Sequence, residues 1–207
     1  MAGIPVPAEP AHAQFTVKGS KFIAAVIPVS DEEEAKAQLT DIRKKYHDAT
    51  HNCYAWRIHS ISEKASDDGE PSGSAGKPIL QVLKGSDLTN ALVIVTRYFG
   101  GTKLGIGGLV RAYSEAASMA LRETKVVTLY PLLVLSCAVS FQESQSVYQA
   151  VSRFPDVKIS GEEYDGNGAI FSLRMKEKNL EPFREQLQEY LNREPGLVVV
   201  EEILDQI

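Results

Sequence analysis

The stretch VKISGEEYDGNGAIFSLRMK, residues 157–176, decides the fold of the second half of the chain. Two strand-forming segments flank Asp165-Gly166-Asn167-Gly168, which is a hairpin turn signal. Outward from that hairpin, LLVLSCAVS (132–140) reads as a strand. Ser140 and Glu143 then have capping-box spacing, and Val147, Val151 and Phe154 give the helix that follows an apolar stripe. On the other side, NLEPFREQLQEYLN (179–192) puts Leu180, Phe183, Leu187 and Leu191 on one helical face. GLVVVEEI (196–203) closes the series as a strand.

The order β-α-β-β-α-β is that of a ferredoxin-like domain, expected over residues 132–207. That fold hosts many roles, so it leaves function open. Pro131 marks the expected boundary, with a first domain over 14–130. Residues 1–13, rich in Pro and Ala, are expected to be loosely held. FTVKGSKFIAAVIPV (15–29) reads as two short strands turning at Gly19 and Ser20. Ser30 and Glu33 have capping-box spacing before a helix carrying Ala35, Leu39, Ile42 and Tyr46, with acids early and bases late. HNCYAWRIH (51–59) alternates as a strand, with Cys53, Ala55 and Arg57 on one side and Asn52, Tyr54, Trp56 and Ile58 on the other. A polar loop is expected from Ser60 to Lys77, with a short helix from Pro78. ALVIVTRYF (91–99) is a buried strand that breaks into GGTKLGIGG (100–108). A helix follows with Leu109, Val110, Tyr113, Ala117, Ala120 and Leu121 inward, then the strand KVVTLY (125–130). The whole is an α+β chain of two domains.

Composition bounds the class. A chain of 207 residues, 43% hydrophobic and 24% charged, forms an ordinary globular core. The net charge of −5 argues against a general polycation for nucleic acid. Residues 1–130 carry 15 basic and 14 acidic side chains, and residues 131–207 carry 7 and 13. An anion-binding face therefore belongs to the first segment. Two cysteines, Cys53 and Cys137, make neither a disulfide framework nor a zinc set. The opening MAGIPVPAEPAHAQF has no basic stretch leading into a long apolar run, and no apolar stretch approaches about 18 residues. A cytoplasmic location with no membrane contact is expected.

Two segments carry candidate chemistry. In RYFGGTKLGIGGLVRAY (97–113), a strand breaks into glycines and restarts as a helix. Exposed N–H groups at such a helix start attract anions, and Arg97, Lys103 and Arg111 add charge. The alternative is architectural, with glycines supplying positive φ and close packing. The nucleotide fingerprints fail. Pro71 stands where a P-loop needs its first glycine, Pro78 where it needs Ser or Thr, and Val110 where the dinucleotide pattern needs its last glycine. In SDDGEPSGSAGKPIL (66–80), Asp67, Asp68 and Glu70 are either hard-cation ligands or acid–base groups, or else turn formers. Ser72 and Ser74 are inert without a base. His51 is a general base, a partner contact or a satisfied strand-edge histidine. With His47 and Cys53 it falls short of a zinc set. No metal or cofactor is expected.

His51 through Ile58 with the residues before it, SDDGEPSGSAGKPIL, and VTRYFGGTKLGIGGLVRAYSEAA (95–117) together resemble the IMPACT family in its bacterial, YigZ-like branch. Ser74 stands where threonine is common. The resemblance spans the chain. It implies a first domain similar to domain IV of elongation factor G, with a four-stranded sheet, two helices on one face and a left-handed βαβ crossover. It implies a second domain similar to domain V of that factor, and so two two-layer α/β sandwiches. The eukaryotic relatives relieve translational repression by binding the activator of a translation-control kinase, and they carry a different accessory domain, which this chain lacks, so that pathway is not carried over.

The family motifs fall here on His51, Asp67, Asp68, Gly69, Glu70, Pro71, Ser74, Gly76 and Lys77. In the second segment they fall on Tyr98, Phe99, Gly100, Gly101, Lys103, Leu104, Gly105, Gly107, Gly108, Arg111 and Tyr113. If both loops share one end of the sheet, Lys77, Lys103 and Arg111 can pair with Asp67, Asp68 or Glu70, or face a phosphate. The leading expectation is a non-enzymatic protein binding the ribosome, RNA or a translation protein. The alternative is a magnesium-dependent enzyme acting on a nucleotide or phosphorylated small molecule. There His51 is the base, Asp67 and Asp68 hold the ion, and Lys103 and Arg111 clamp the phosphate.

Overall fold

The computed structural model describes residues 3–59 and 61–206. It divides into two compact units, one of residues 4–127 and one from Thr128 onward. The first holds strands β1 (Ile4–Pro7), β2 (Ala11–Val17), β3 (Ser20–Pro28), β4 (His51–Ile58), β5 (Ser62–Ser66) and β6 (Ala91–Tyr98), with helices α1 (Glu32–Lys45), α2 (Gly76–Gly85) and α3 (Ile106–Arg122). Its sheet runs β2-β3-β6-β4-β5, with every neighbouring pair antiparallel.

β6 explains the layering. Its apolar run is continuous because both faces are covered. Val93 and Val95 pack with Ile79 and Leu83 of α2 and with Leu109, Tyr113 and Ala117 of α3. Leu92 and Ile94 pack on the other side with Ala35 and Leu39 of α1 and with Trp56. The expected pair of helices on one face is α2 and α3. Two corrections follow: the sheet has five strands rather than four, and α1 covers the opposite face, giving this unit three layers. The alternation read in β4 holds, but both of its faces are buried. β3 and β4 flank β6 and oppose it, so they run parallel, joined through α1.

Local readings needed adjustment. From Gly3 onward, residues expected to be loose form β1 and the start of β2; Met1 and Ala2 lie outside the described residues. Asp31, not Ser30, caps α1: its carboxylate accepts from Glu34 N at 2.8 Å, while Glu34 reaches back to Ser30 N at 2.7 Å. The expected polar loop contains β5, an exposed edge strand whose polar sequence SEKAS gives no hydrophobic alternation; Ser60 lies outside the described residues.

The second unit follows the expected order: β7 (Val126–Val139), α4 (Ser144–Ser152), β8 (Val157–Tyr164), β9 (Ala169–Met175), α5 (Leu180–Leu191) and β10 (Leu197–Asp205). β10, β7, β9 and β8 lie side by side, all antiparallel. The turn reads as written: the Asp165 carboxylate accepts from Asn167 N at 2.7 Å and Gly168 N at 2.9 Å. Leu135, Cys137, Phe171 and Leu173 form a core with Val147, Phe183 and Leu187. The two strands expected on either side of Pro131 are one: β7 runs through it, with Pro131 opposite Leu204. No helix of the described residues is long and apolar enough to cross a membrane.

Candidate functional site

The β4–β6 register sets His51 directly opposite Arg97. Both sit where their strands run out, beside the β5–α2 link and the glycine segment before α3. The glutamate of that link completes the group. Glu70 Oε1 accepts from Arg97 Nη1 at 2.6 Å and from the Tyr113 hydroxyl at 2.7 Å. The Glu70 and Arg97 side chains are 3% and 7% exposed, so this is a buried, hydrogen-bonded ion pair. The Arg97 guanidinium lies 5.6 Å from the ring centres of both Phe22 and Phe99, a cation held between aromatic faces. Burial first, then the neighbouring Cys53 and Glu70, push the Tyr113 hydroxyl up, which keeps it protonated as a donor.

Glu70 Oε2 accepts no hydrogen bond from the described residues and lies 3.9 Å from His51 Nε2. His51 Nδ1 is 2.8 Å from the carbonyl oxygen of Asp68. A carbonyl only accepts, so Nδ1 carries the hydrogen and the neutral ring presents a bare Nε2. His51, Glu70 and Arg97 line an open cavity of about 420 Å³ with Phe99, Lys103, Leu104, Gly105, Ile106 and Leu109.

The two aspartates do other work. Asp67 accepts from Gly73 N at 2.8 Å, Ala75 N at 3.0 Å and Gly76 N at 2.8 Å, tying the loop to the start of α2. Burial alone would raise its carboxyl; the three donors outweigh that and hold it below the usual range. Asp68, at φ +44°, accepts from Asn52 N at 2.7 Å and pairs with Arg43. All four oxygens are engaged within the protein, which corrects the magnesium reading for this pair. Ser74 is buried and donates to the Pro71 carbonyl at 2.6 Å, a structural turn with no base in contact. Burial pushes the Cys53 thiol up to about 12, an inert group donating to the Asp67 carbonyl at 3.0 Å.

The expected pairing of Lys77, Lys103 and Arg111 with these acids does not form. Arg43 and Arg97 take Asp68 and Glu70, and backbone takes Asp67. Lys77, Lys103 and Arg111 are exposed and make no ion pair within the described residues. Of them only Lys103 reaches the cavity; Arg111 lines a separate groove with Phe15 and Glu115. Tyr98 donates to Asp48 at 2.7 Å, away from the cavity lining. Phe99 is 48% exposed at its rim. Gly100 is glycine for packing: a Cβ there would stand 1.8 Å from the Gly19 backbone. Gly101 and Gly105 hold positive φ, and Gly105 precedes α3, where no side chain caps the helix. Gly107 and Gly108 form the first turn of α3, with Gly107 exposed. Arg97, noted in the sequence only as added charge, is the central residue that sequence reasoning undervalued. Its signal was a lone cation in an otherwise apolar strand.

Residues 18–121 match the family described as the Impact N-terminal domain. The Escherichia coli IMPACT family member YigZ is 30% identical over 201 residues, covering 95% of this chain and 98% of that protein. The Bacillus subtilis IMPACT family member YvyE is 46% identical over 128 residues, 56% of this chain and 59% of that one. A solved structure described as that of a hypothetical protein superposes with a TM-score of 0.70 at 30% identity, covering 97% of this chain and 98% of its own. The cavity-lining segments His51–Pro71 and Arg97–Leu109 both fall inside the matched domain, and the chain belongs to the IMPACT family, in its YigZ-like bacterial branch.

Proposed function

We propose that this chain is a cytoplasmic, translation-associated regulatory protein that binds the ribosome through RNA, using the first unit. The observation that carries the reading is the segment 99–108. It presents an exposed aromatic ring, backbone at positive φ, the start of a 17-residue helix without a side-chain cap, and Lys103, a cation with no ion pair among the described residues, in one place. Phosphates are drawn by cations and helix-start amides, and unpaired bases stack on aromatic rings. The charge division supports the same face, since the acidic excess lies in residues 131–207. Family membership and the resemblance of the two domains to a pair in elongation factor G support the translational setting.

Co-sedimentation with ribosomes at low and moderate salt tests it. The protein is expected to pellet at low salt and less at moderate salt, because binding to phosphates releases counterions. A Lys103→Ala/Arg111→Ala chain is expected to pellet less at both. Absence from the ribosomal pellet at both salts contradicts the reading.

A further inference from the structure

We propose that the cavity above Glu70 is a receptor for a nucleoside phosphate whose base carries an exocyclic amino group, with adenylate as the type ligand. The inference rests on the reading of this face as an RNA-binding surface and names the chemistry it selects.

The cavity lining offers two hydrogen-bond acceptors, His51 Nε2 and Glu70 Oε2, beside Arg97, whose Nε is buried without a partner among the described residues. In the neutral ring His51 Nε2 is bare, because the one ring hydrogen is on Nδ1 and is donated to the Asp68 carbonyl. Glu70 Oε2 is open because Oε1 takes both Arg97 and Tyr113. The acceptors stand 3.9 Å apart, close enough for one amino nitrogen to donate a hydrogen to each. A side chain only 3% exposed, with an oxygen lacking a donor, is a recognition group awaiting its partner.

The guest is a neutral amine rather than an ammonium. Arg97 already neutralises the Glu70 charge, and Lys103 at the rim repels a second cation. The walls, Phe99, Leu104, Ile106 and Leu109, are apolar and suit a ring. The mouth is cationic and rich in amides: Lys103 makes no ion pair among the described residues, and α3 begins at Ile106 without a side-chain cap. A flat amino-bearing ring joined to an anion fits all three zones. The volume of about 420 Å³ falls within the range of small-molecule sites.

Inosinate differs from adenylate by a carbonyl where the amino group stands. That carbonyl would face two acceptors and leave both unsatisfied. Calorimetric titration of the full chain with AMP and IMP, and with hexamers of adenylate and of inosinate, reads the difference. AMP, the adenylate hexamer or both are expected to bind at least about tenfold tighter than the inosine counterpart, as follows when a site built for an amino donor meets a carbonyl acceptor at that position and the nearest donor, N1–H, sits one ring atom away. Discrimination by hexamers alone assigns the ligand to an RNA chain; discrimination by AMP shows that a free nucleotide suffices. Ile106→Glu, at an exposed position where an acid favours the helix start, tests the place. It is expected to weaken the preferred ligand about tenfold with no loss in melting temperature. Equal binding of both bases in both forms, or an unaffected Ile106→Glu chain, overturns the inference. Ribosome pelleting retained beside equal binding overturns it while leaving the broader reading standing.

Discussion

Glu70 holds the site together because it is the charged acceptor for the Arg97 guanidinium in its buried pocket, where the second hydrogen bond among the described residues is the longer one, 3.4 Å, to the Ser20 hydroxyl. Removing it strands a cation that is 5% exposed between two aromatic rings. Glu70→Ala is therefore expected to cost about 3–5 kcal/mol in urea unfolding, far above a surface carboxylate. A paired Glu70→Leu/Arg97→Met chain is expected to recover much of that loss, and a double as damaged as the sum of the singles would contradict the pairing. Asp67 supplies a different kind of stability. Its folded carboxyl titrates below the value near 3.8 of an unstrained aspartate. Its contribution is complete above that value and falls away as pH drops through the lower, folded one. The stability gap between the natural chain and Asp67→Ala is thus expected to narrow between pH 5 and pH 2; a gap independent of pH would contradict the role given to the three amides. The sequence shows Asp67, Asp68 and Glu70 as three similar acids. It cannot show that one takes backbone, one takes Arg43 and one takes Arg97, because the partners lie 6 to 27 residues away and are chosen by the sheet register.

Elements were legible where local chemistry and tertiary need agree. The Asp165–Gly168 turn, the stripes of α3 and α5 and the buried run of β6 each state one structure at every level. β5 was hidden because SEKAS pairs with β4 through its backbone while its side chains meet water, so no pattern marks it. The face of the sheet that α1 covers was hidden too, since an amphipathic stripe says that a helix packs but not on which side. Gly105 is an element-scale case, ending one segment and starting α3 at φ +74° and ψ 163°, a region almost closed to other residues. A Cβ there meets nothing within 4 Å. Gly105→Ala is accordingly expected to cost about 1–3 kcal/mol through backbone strain alone. A neutral substitution, measured by urea unfolding, would show that the loop before α3 relaxes freely.

Across the whole molecule, the candidate chemistry gathers in one unit while the acidic excess lies in the other. The first unit places a buried charge network beneath an exposed, amide-rich segment; the second provides the antiparallel strands β7 to β10 and two helices around an ordinary core. The family and both α/β domains were legible from motifs and element order, whereas the cavity was not, because it is made by the register of β4 against β6. Hydrogen–deuterium exchange of the full chain with and without saturating ribosomes at low salt locates the ribosome-binding face. Exchange is expected to slow in residues 99–109, with no comparable change in the strands of the second unit. Unchanged exchange in 99–109 while the protein co-sediments, with protection elsewhere, would contradict that placement of the face.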